Sequence, residues 1–248
     1  MKVVGAAHVT GTLINAATVL VGTVVGALLG DRLPERVRET VMHGLGLFVL
    51  ALGAFEASQA FTGPLAEFAR GSAVIVLGSV LVGGVIGELV RIEDHLNGLG
   101  ERLQRRFAGG EGGARFVEGF VVASLVFCVG PLTILGSIQD GLSGDTDLLL
   151  VKSTLDGFAA LAFAAALGWG VGFSVLTILV FQGALSLLAG AVAGGFSDAV
   201  IASMTATGGI LILAIGLRLL ELKVVRVGNL LPALVLAPAT VAVMQALR

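Results

Sequence analysis

Eight runs of mostly apolar residues fill nearly the whole chain, at 11–30, 38–57, 71–90, 116–138, 148–168, 170–190, 199–219 and 227–246. A helix that crosses the hydrocarbon of a bilayer needs roughly 20 such residues. A chain divided in this way has little left for a water-facing surface. Charged residues make up 13% of the 248, against about 25% in a soluble domain. The runs are continuous rather than alternating, which disfavours a β-barrel. The expected fold class is therefore all-α, a polytopic helical membrane protein of about eight transmembrane segments in one domain, residues 1–248. Only Gly168-Trp169-Gly170 separates the fifth run from the sixth, so a merged or re-entrant element is a second reading there.

Positive charge tests the count, because Lys and Arg favour the cytoplasmic side of short loops. Arg32, Arg36 and Arg38 follow the first run. Arg91, Arg102, Arg105, Arg106 and Arg115 follow the third, and Arg218, Lys223 and Arg226 the seventh; together they are 11 of the 15 basic residues. All three loops follow odd-numbered runs, so they share one side if the count is eight. This predicts cytoplasmic basic loops and both termini outside, with Lys2 heading a retained first span. Within the connector 91–115, Ile92, Leu96, Leu99, Leu103 and Phe107 form a helical stripe. Arg102, Arg105 and Arg106 lie off it. Such a helix lies on the inner leaflet or covers the bundle's end, and Gly-Gly-Glu-Gly-Gly at 109–113 forms a flexible joint.

Glycine is frequent, 37 residues, and it is placed. Gly22, Gly26 and Gly30 fall one turn apart, as do Ser79, Gly83 and Gly87. Small residues at this spacing let another helix approach closely, either inside the bundle or in a second copy of the chain. An internal echo joins Gly46-Leu-Phe-Val-Leu-Ala-Leu-Gly53 to Gly209-Ile-Leu-Ile-Leu-Ala-Ile-Gly216, with Glu35 matching Asp198. The two phrases lie in oppositely directed spans. Two readings stand, chance likeness of apolar segments or an inverted repeat of the kind that builds secondary transporters; a repeat would take the form of one three-span unit at 1–90 and again at about 170–248.

Ionisable groups at membrane depth are costly and point to function. Gly130-Pro131 breaks the fourth run, since proline lacks a donor and clashes with the preceding turn. A half-helix restarting at Pro131 exposes partly positive N–H groups. Ser137, Gln139 and Asp140 follow it. Lys152 and Asp156 lie four apart, on one helix face, and can pair, with Ser153 beside them. Thr205, Thr207 and the two glycines after them could unwind the seventh span and offer carbonyls to an ion. Asn229 precedes Pro232 at a disrupted helix start. These nine residues are the candidate substrate or ion site, centred between the fourth and fifth spans.

Histidines 8, 43 and 95 have no metal-ligand spacing, and the single cysteine, Cys128, excludes an intrachain disulfide. No nucleotide-binding, zinc-protease or nucleophile-elbow motif occurs. The chain is expected to be no enzyme and to need no cofactor or metal. With a formal net charge of −2, no nucleic-acid partner is expected. The expected partners are the lipid bilayer, a small solute or ion and a second copy of the chain.

Several phrases together resemble a bacterial membrane family typified by YqgA- and YdfK-like proteins. They are Gly11-Thr-Leu-Ile-Asn15, Leu33-Pro-Glu-Arg36, Phe116-Val-Glu-Gly-Phe120 and Phe127-Cys-Val-Gly-Pro131. Ile134-Leu-Gly-Ser-Ile-Gln-Asp-Gly141, Lys152-Ser-Thr-Leu-Asp-Gly157, Ala206-Thr-Gly-Gly209 and Val227-Gly-Asn-Leu-Leu-Pro-Ala233 complete the set. The resemblance covers almost the whole chain without clear departure. It implies a bacterial cytoplasmic-membrane protein and supplies no substrate or reaction. The expected function is a secondary transporter or channel for a small solute or ion. The alternatives are a membrane scaffold or regulatory protein and an intramembrane enzyme.

Overall fold

The structure is a computed structural model that describes residues 8–30, 32–107, 113–189 and 197–247. Lys2, Asp31 and the glycine joint at 109–112 lie outside the described residues, as do the side chains of Leu99, Leu103, Arg105, Arg106 and Phe107. The described residues are helical and contain no strand. The helices are α1 (Thr10–Gly30), α2 (Glu35–Ala57), α3 (Gly63–Phe68), α4 (Ser72–Val90) and α5 (Ile92–Phe107). Next come α6 (Gly113–Cys128), α7 (Pro131–Ser143), α8 (Asp147–Leu167) and α9 (Ser174–Leu187). The last two are α10 (Asp198–Leu219) and α11 (Ala233–Ala246).

Six helical stretches among the described residues are long and apolar enough to cross a membrane. The bent pair α6–α7 makes a seventh when taken as one span. One of the six is the continuous stretch 147–187. It reverses at the 3-10 turn Gly168–Phe173, as its contacts with α1 establish. Gly22, Gly26 and Gly30 meet Gly157, Leu161 and Ala165 in turn, so α1 and α8 run parallel. Thr23 meets Gly172, whereas Thr12 meets Ser186, so α9 runs the other way. The expected eight corresponds to counting these two arms separately and the bent pair once.

Exposure is inverted relative to a soluble protein. Large apolar residues face outward, among them Leu81, Leu89, Leu155 and Phe158, while Thr12, Asn15, Asp140, Gln182 and Thr207 are buried. Contiguous apolar surface on this scale is made for lipid.

The chain divides into two compact units. One comprises residues 1–38 and 108–194, the other residues 39–107 and 195–248. In the first unit α1 is seated on α8 through its glycines. A Cβ on Gly22, Gly26 or Gly30 would overlap the carbonyl of Gly157, Leu161 or Ala165. The close approach that the spacing predicted is therefore filled from within the chain. Around it stand α6, α7 and α9. Helix α6 runs alongside the arm formed by the 3-10 turn and α9. Phe116 packs against Phe173 in a tilted pair with ring centroids 5.0 Å apart, Ser124 bonds Thr177 at 2.9 Å, and Gly141 of α7 meets Ser186 and Ala189.

The expected break at Gly130-Pro131 is present. Helices α6 and α7 are bent by 64°. Gly130 takes φ 123°, a region open to glycine alone at little strain. The carbonyl of Phe127, which Pro131 cannot bond, accepts the Thr133 hydroxyl at 3.2 Å.

In the second unit α10 is buried along most of its length. It runs unbroken through Thr205–Gly209, which corrects the expected unwinding. Thr207 bonds back to the Ser203 carbonyl at 2.8 Å, and Gly209 is pressed against the α2 backbone. The two echo phrases pack on each other, antiparallel. Gly46 meets Leu220, Leu50 meets Gly216, Gly53 meets Leu213 and Ala57 meets Gly209. Laying one phrase on the other exchanges the first pair with the last and the second with the third. The same alignment lays α1 on α9 and α4 on α11. Each of these pairs is also antiparallel, α4 and α11 meeting through Gly83 at Ala233 with Gly87 at Asn229. Within the second unit, the packing of α2 on α10 has the exchange symmetry that an inverted repeat requires, with an axis perpendicular to the two helices.

At one end of this unit α2 begins while α4 and α10 finish. The residues there are knitted together. Glu88 accepts Arg226 and the Asn229 amide, both at 2.6 Å. Glu93, on the first turn of α5, accepts Gly228 N–H at 2.6 Å and Arg218 at 3.4 Å. Leu96 lies against the same Gly228 turn. The start of the amphipathic stripe thus packs on protein.

Candidate functional site

Five buried or half-buried polar residues proposed from the sequence fall in the first unit around α7 and α8: Ser137, Gln139, Asp140, Lys152 and Asp156. Ser153 is there too but is satisfied locally, its hydroxyl donating to the Leu149 carbonyl at 2.6 Å. Lys152 and Asp156 form the expected ion pair, 2.5 Å apart and almost wholly buried. The same carboxylate oxygen accepts the Asn15 amide at 3.0 Å. Gln139 sits at the rim, where its amide donates to Asp145 at 2.5 Å.

Asp140 behaves differently. It is fully buried, and one oxygen accepts Gly11 N–H in the first turn of α1 at 2.9 Å. Its other oxygen has no hydrogen-bond partner. The two carboxylates do not touch. They are joined through α1, whose Gly11 and Asn15 lie one turn apart and serve one carboxylate each. The arrangement is therefore a three-helix site of α1, α7 and α8. The sequence reading centred it between the fourth and fifth spans and did not include Asn15.

A fourth helix adds polar groups that the candidate set omitted. On α9, Ser174, Gln182 and Ser186 are all buried. They recur at multiples of four with Ile178 between, so they share one face toward the interior. Ser186 stands 3.5 Å from Thr12. The antiparallel register sets Gln182 level with Asn15, and Ser174 near Thr23. From α7, Ser137 lies one turn before the Asp140–Gly141 level and so also faces the Gln182 level. The result is a polar seam from Thr12 to Thr23, about 16 Å long at 1.5 Å per residue. That is about half the hydrocarbon thickness.

Along this seam Asn15 Oδ1, Thr23 Oγ1, Ser137 Oγ, Asp140 Oδ1, Ser174 Oγ and both amide atoms of Gln182 have no hydrogen-bond partner. Each such atom costs about 1–3 kcal/mol when left unsatisfied. Buried polar groups are nearly always bonded to protein or water, and seven unmet atoms along one seam set it apart from the rest of the first unit. The signal was present as the four-residue spacing on α9. Gln182, taken alone, reads as one ordinary interhelical bond.

Thr205, Thr207 and Asn229 belong to the second unit. Thr205 is buried with an unpartnered hydroxyl. Asn229 is fully engaged, donating to Glu88 and accepting the Glu93 N–H at 2.7 Å.

Two relatives match almost end to end. The chain is 34% identical over 232 residues to "Uncharacterized protein YqgA" of Escherichia coli (strain K12), covering 92% of this chain and 94% of that one. It is 28% identical over 236 residues to "Uncharacterized membrane protein YdfK" of Bacillus subtilis (strain 168), covering 95% and 97%. Residues 10–242 match a family described as "Protein of unknown function (DUF554)". No solved structure matches the chain.

Proposed function

The chain belongs to the DUF554 family of membrane proteins of unknown function, and within that family we propose that it is a secondary transporter or channel for a small solute or ion. The observation that carries this reading is the seam of buried, unpartnered polar atoms between α1, α7 and α9 beside the Lys152–Asp156 pair. A static structural bundle has no use for such atoms, whereas a path for a hydrophilic passenger requires them. The closure of Lys152 on Asp156 corresponds to a shut conformation, in which the pair is the charge that a passing ion or solute displaces.

The exchange symmetry of α2 with α10 supports the same reading. If the helices stand along the membrane normal, its axis lies in the membrane plane, as in inverted-repeat transporters. In this reading the protein lies in the bacterial cytoplasmic membrane with its basic loops inside and both termini outside. In support, the loops around residues 91 and 218–226 are bonded together at one end of the second unit.

The test is flux. Purified protein in liposomes, energised in turn with proton, sodium and potassium gradients, is expected to dissipate at least one gradient or to drive uptake from a mixture of labelled metabolites. Lys152→Met and Gln182→Leu should each abolish that flux. Permeability equal to protein-free vesicles under every gradient, or flux equal to wild type in both variants, removes the proposal.

A further inference from the structure

The charges buried in the first unit do not balance. Among its described residues three charged side chains are enclosed, Asp140, Lys152 and Asp156. Lys152 neutralises Asp156 at 2.5 Å. That leaves Asp140 with a single N–H donor, from Gly11 at the start of α1. A helix N-terminus carries at most about half an elementary charge. The other oxygen of Asp140 has neither solvent nor partner. A bare carboxylate in such surroundings is among the most costly groups a protein can bury.

Helix register brings two further buried polar side chains to this region, and both carry oxygen. Ser137 lies one turn earlier on the same face of α7, fully buried with an unpartnered hydroxyl. Gln182 comes level with it from α9, its amide oxygen also unpartnered. Oxygen ligands suit protons and hard cations rather than soft metals. The uncompensated charge is one, which suits a monovalent species. We propose that Asp140, with Ser137 and Gln182, holds a monovalent cation, a proton or an alkali ion, and that this is the coupling ion of the transport activity. The last clause rests on the reading above; the binding site does not.

Other titratable groups surround the site. His8 stands just before α1, near Gly144. Asp145 precedes α8, and Asp147, Lys152 and Asp156 lie on it. Arg115, Glu118 and Cys128 lie on α6, and α9 carries none. Each is kept in the test proteins, so only Asp140 changes. Asp140→Asn retains an oxygen to accept Gly11 N–H and is expected to fold.

The experiment uses the full chain in detergent. In one arm its thermal unfolding is followed against sodium, potassium and lithium chloride, with choline chloride holding ionic strength. In the other, infrared spectra in alkali-free buffer are followed against pH. An alkali-ion site gives a saturable rise in Tm, as for any ligand of the native state. That rise is absent from Asp140→Asn and shifted on the order of ten-fold to higher salt in Ser137→Ala. A proton site gives a protonated-carboxyl band that Asp140→Asn lacks. If wild type and Asp140→Asn respond alike to every cation and share every carboxyl band, the proposal is overturned. Should Asp140→Asn fail to fold, the wild-type spectra with the Ser137→Ala salt shift decide, and the absence of both overturns it. Binding without flux keeps the cation site and removes the transport reading. Flux unchanged in Asp140→Asn keeps the transport reading and removes the coupling role of the cation site.

Discussion

Asp156 gives one oxygen to two donors, Lys152 and Asn15, and this sharing sets what each substitution does. Removing Lys152 strands a buried carboxylate with a single amide. Lys152→Met is therefore expected to lose about 3–5 kcal/mol of stability. Lys152→Met combined with Asp156→Asn should recover most of that loss. Unfolding of the purified variants in a denaturing detergent series checks both, and additive losses would show that the pair is not coupled. The pair was readable from the sequence because its partners lie four residues apart. Asp140 was readable as a costly residue, but its Gly11 partner was not. Nothing local connects side chains 129 residues apart in the chain.

Among the helices, Gly22, Gly26 and Gly30 fix how α1 meets α8, through backbone on backbone. Gly26→Leu should cost at least the roughly 1–3 kcal/mol typical of overpacking. Gly78→Ala is a control with open space around it. It should gain about 0.5–1 kcal/mol, as alanine does over glycine within a helix. Thermal melts of the two variants side by side test the contrast, and equal melting points would contradict the seat. Apolar run length located α1, α2, α4, α8 and α10 to within three residues, and proline chemistry located the start of α7; α11 begins six residues later than its run. Helix α3 went unread because Gly63-Pro64 looks like a loop and the whole helix is only six residues long. Thr-x-Thr-Gly-Gly suggested a break in α10 that the structure lacks, since tight packing of Gly209 on α2 holds the helix straight through it.

For the molecule as a whole, the parallel course of α1 and α8 and the reversal into α9 set which loops share a side of the membrane. His8 and Gly144 lie together at one end of the first unit, while Gly30 and Ala165 meet at the other. Cysteines introduced at Asp145 and Trp169 into a Cys128→Ala background should therefore react with a membrane-impermeant maleimide from opposite faces. Asp145 is expected to label from outside in intact cells and Trp169 only after lysis. Labelling of both from the same face would refute the crossing of α8. The order of spans and their charge bias were legible in the sequence. The pseudo-symmetric contact of α2 with α10 was legible only as an echo, because the pattern of repeated glycines does not reveal which backbone each one faces. One consequence lies in the ladder that joins α1 to α8. Its glycine rungs and the carbonyls opposite them both recur every four residues. A slide of four residues, about 6 Å at 1.5 Å per residue, would bring two of the three glycines back onto carbonyls, whereas a shorter slide drives a larger side chain into backbone. The joint is thus a ratchet with discrete stops, and any stroke this unit makes along the membrane normal is quantised by it.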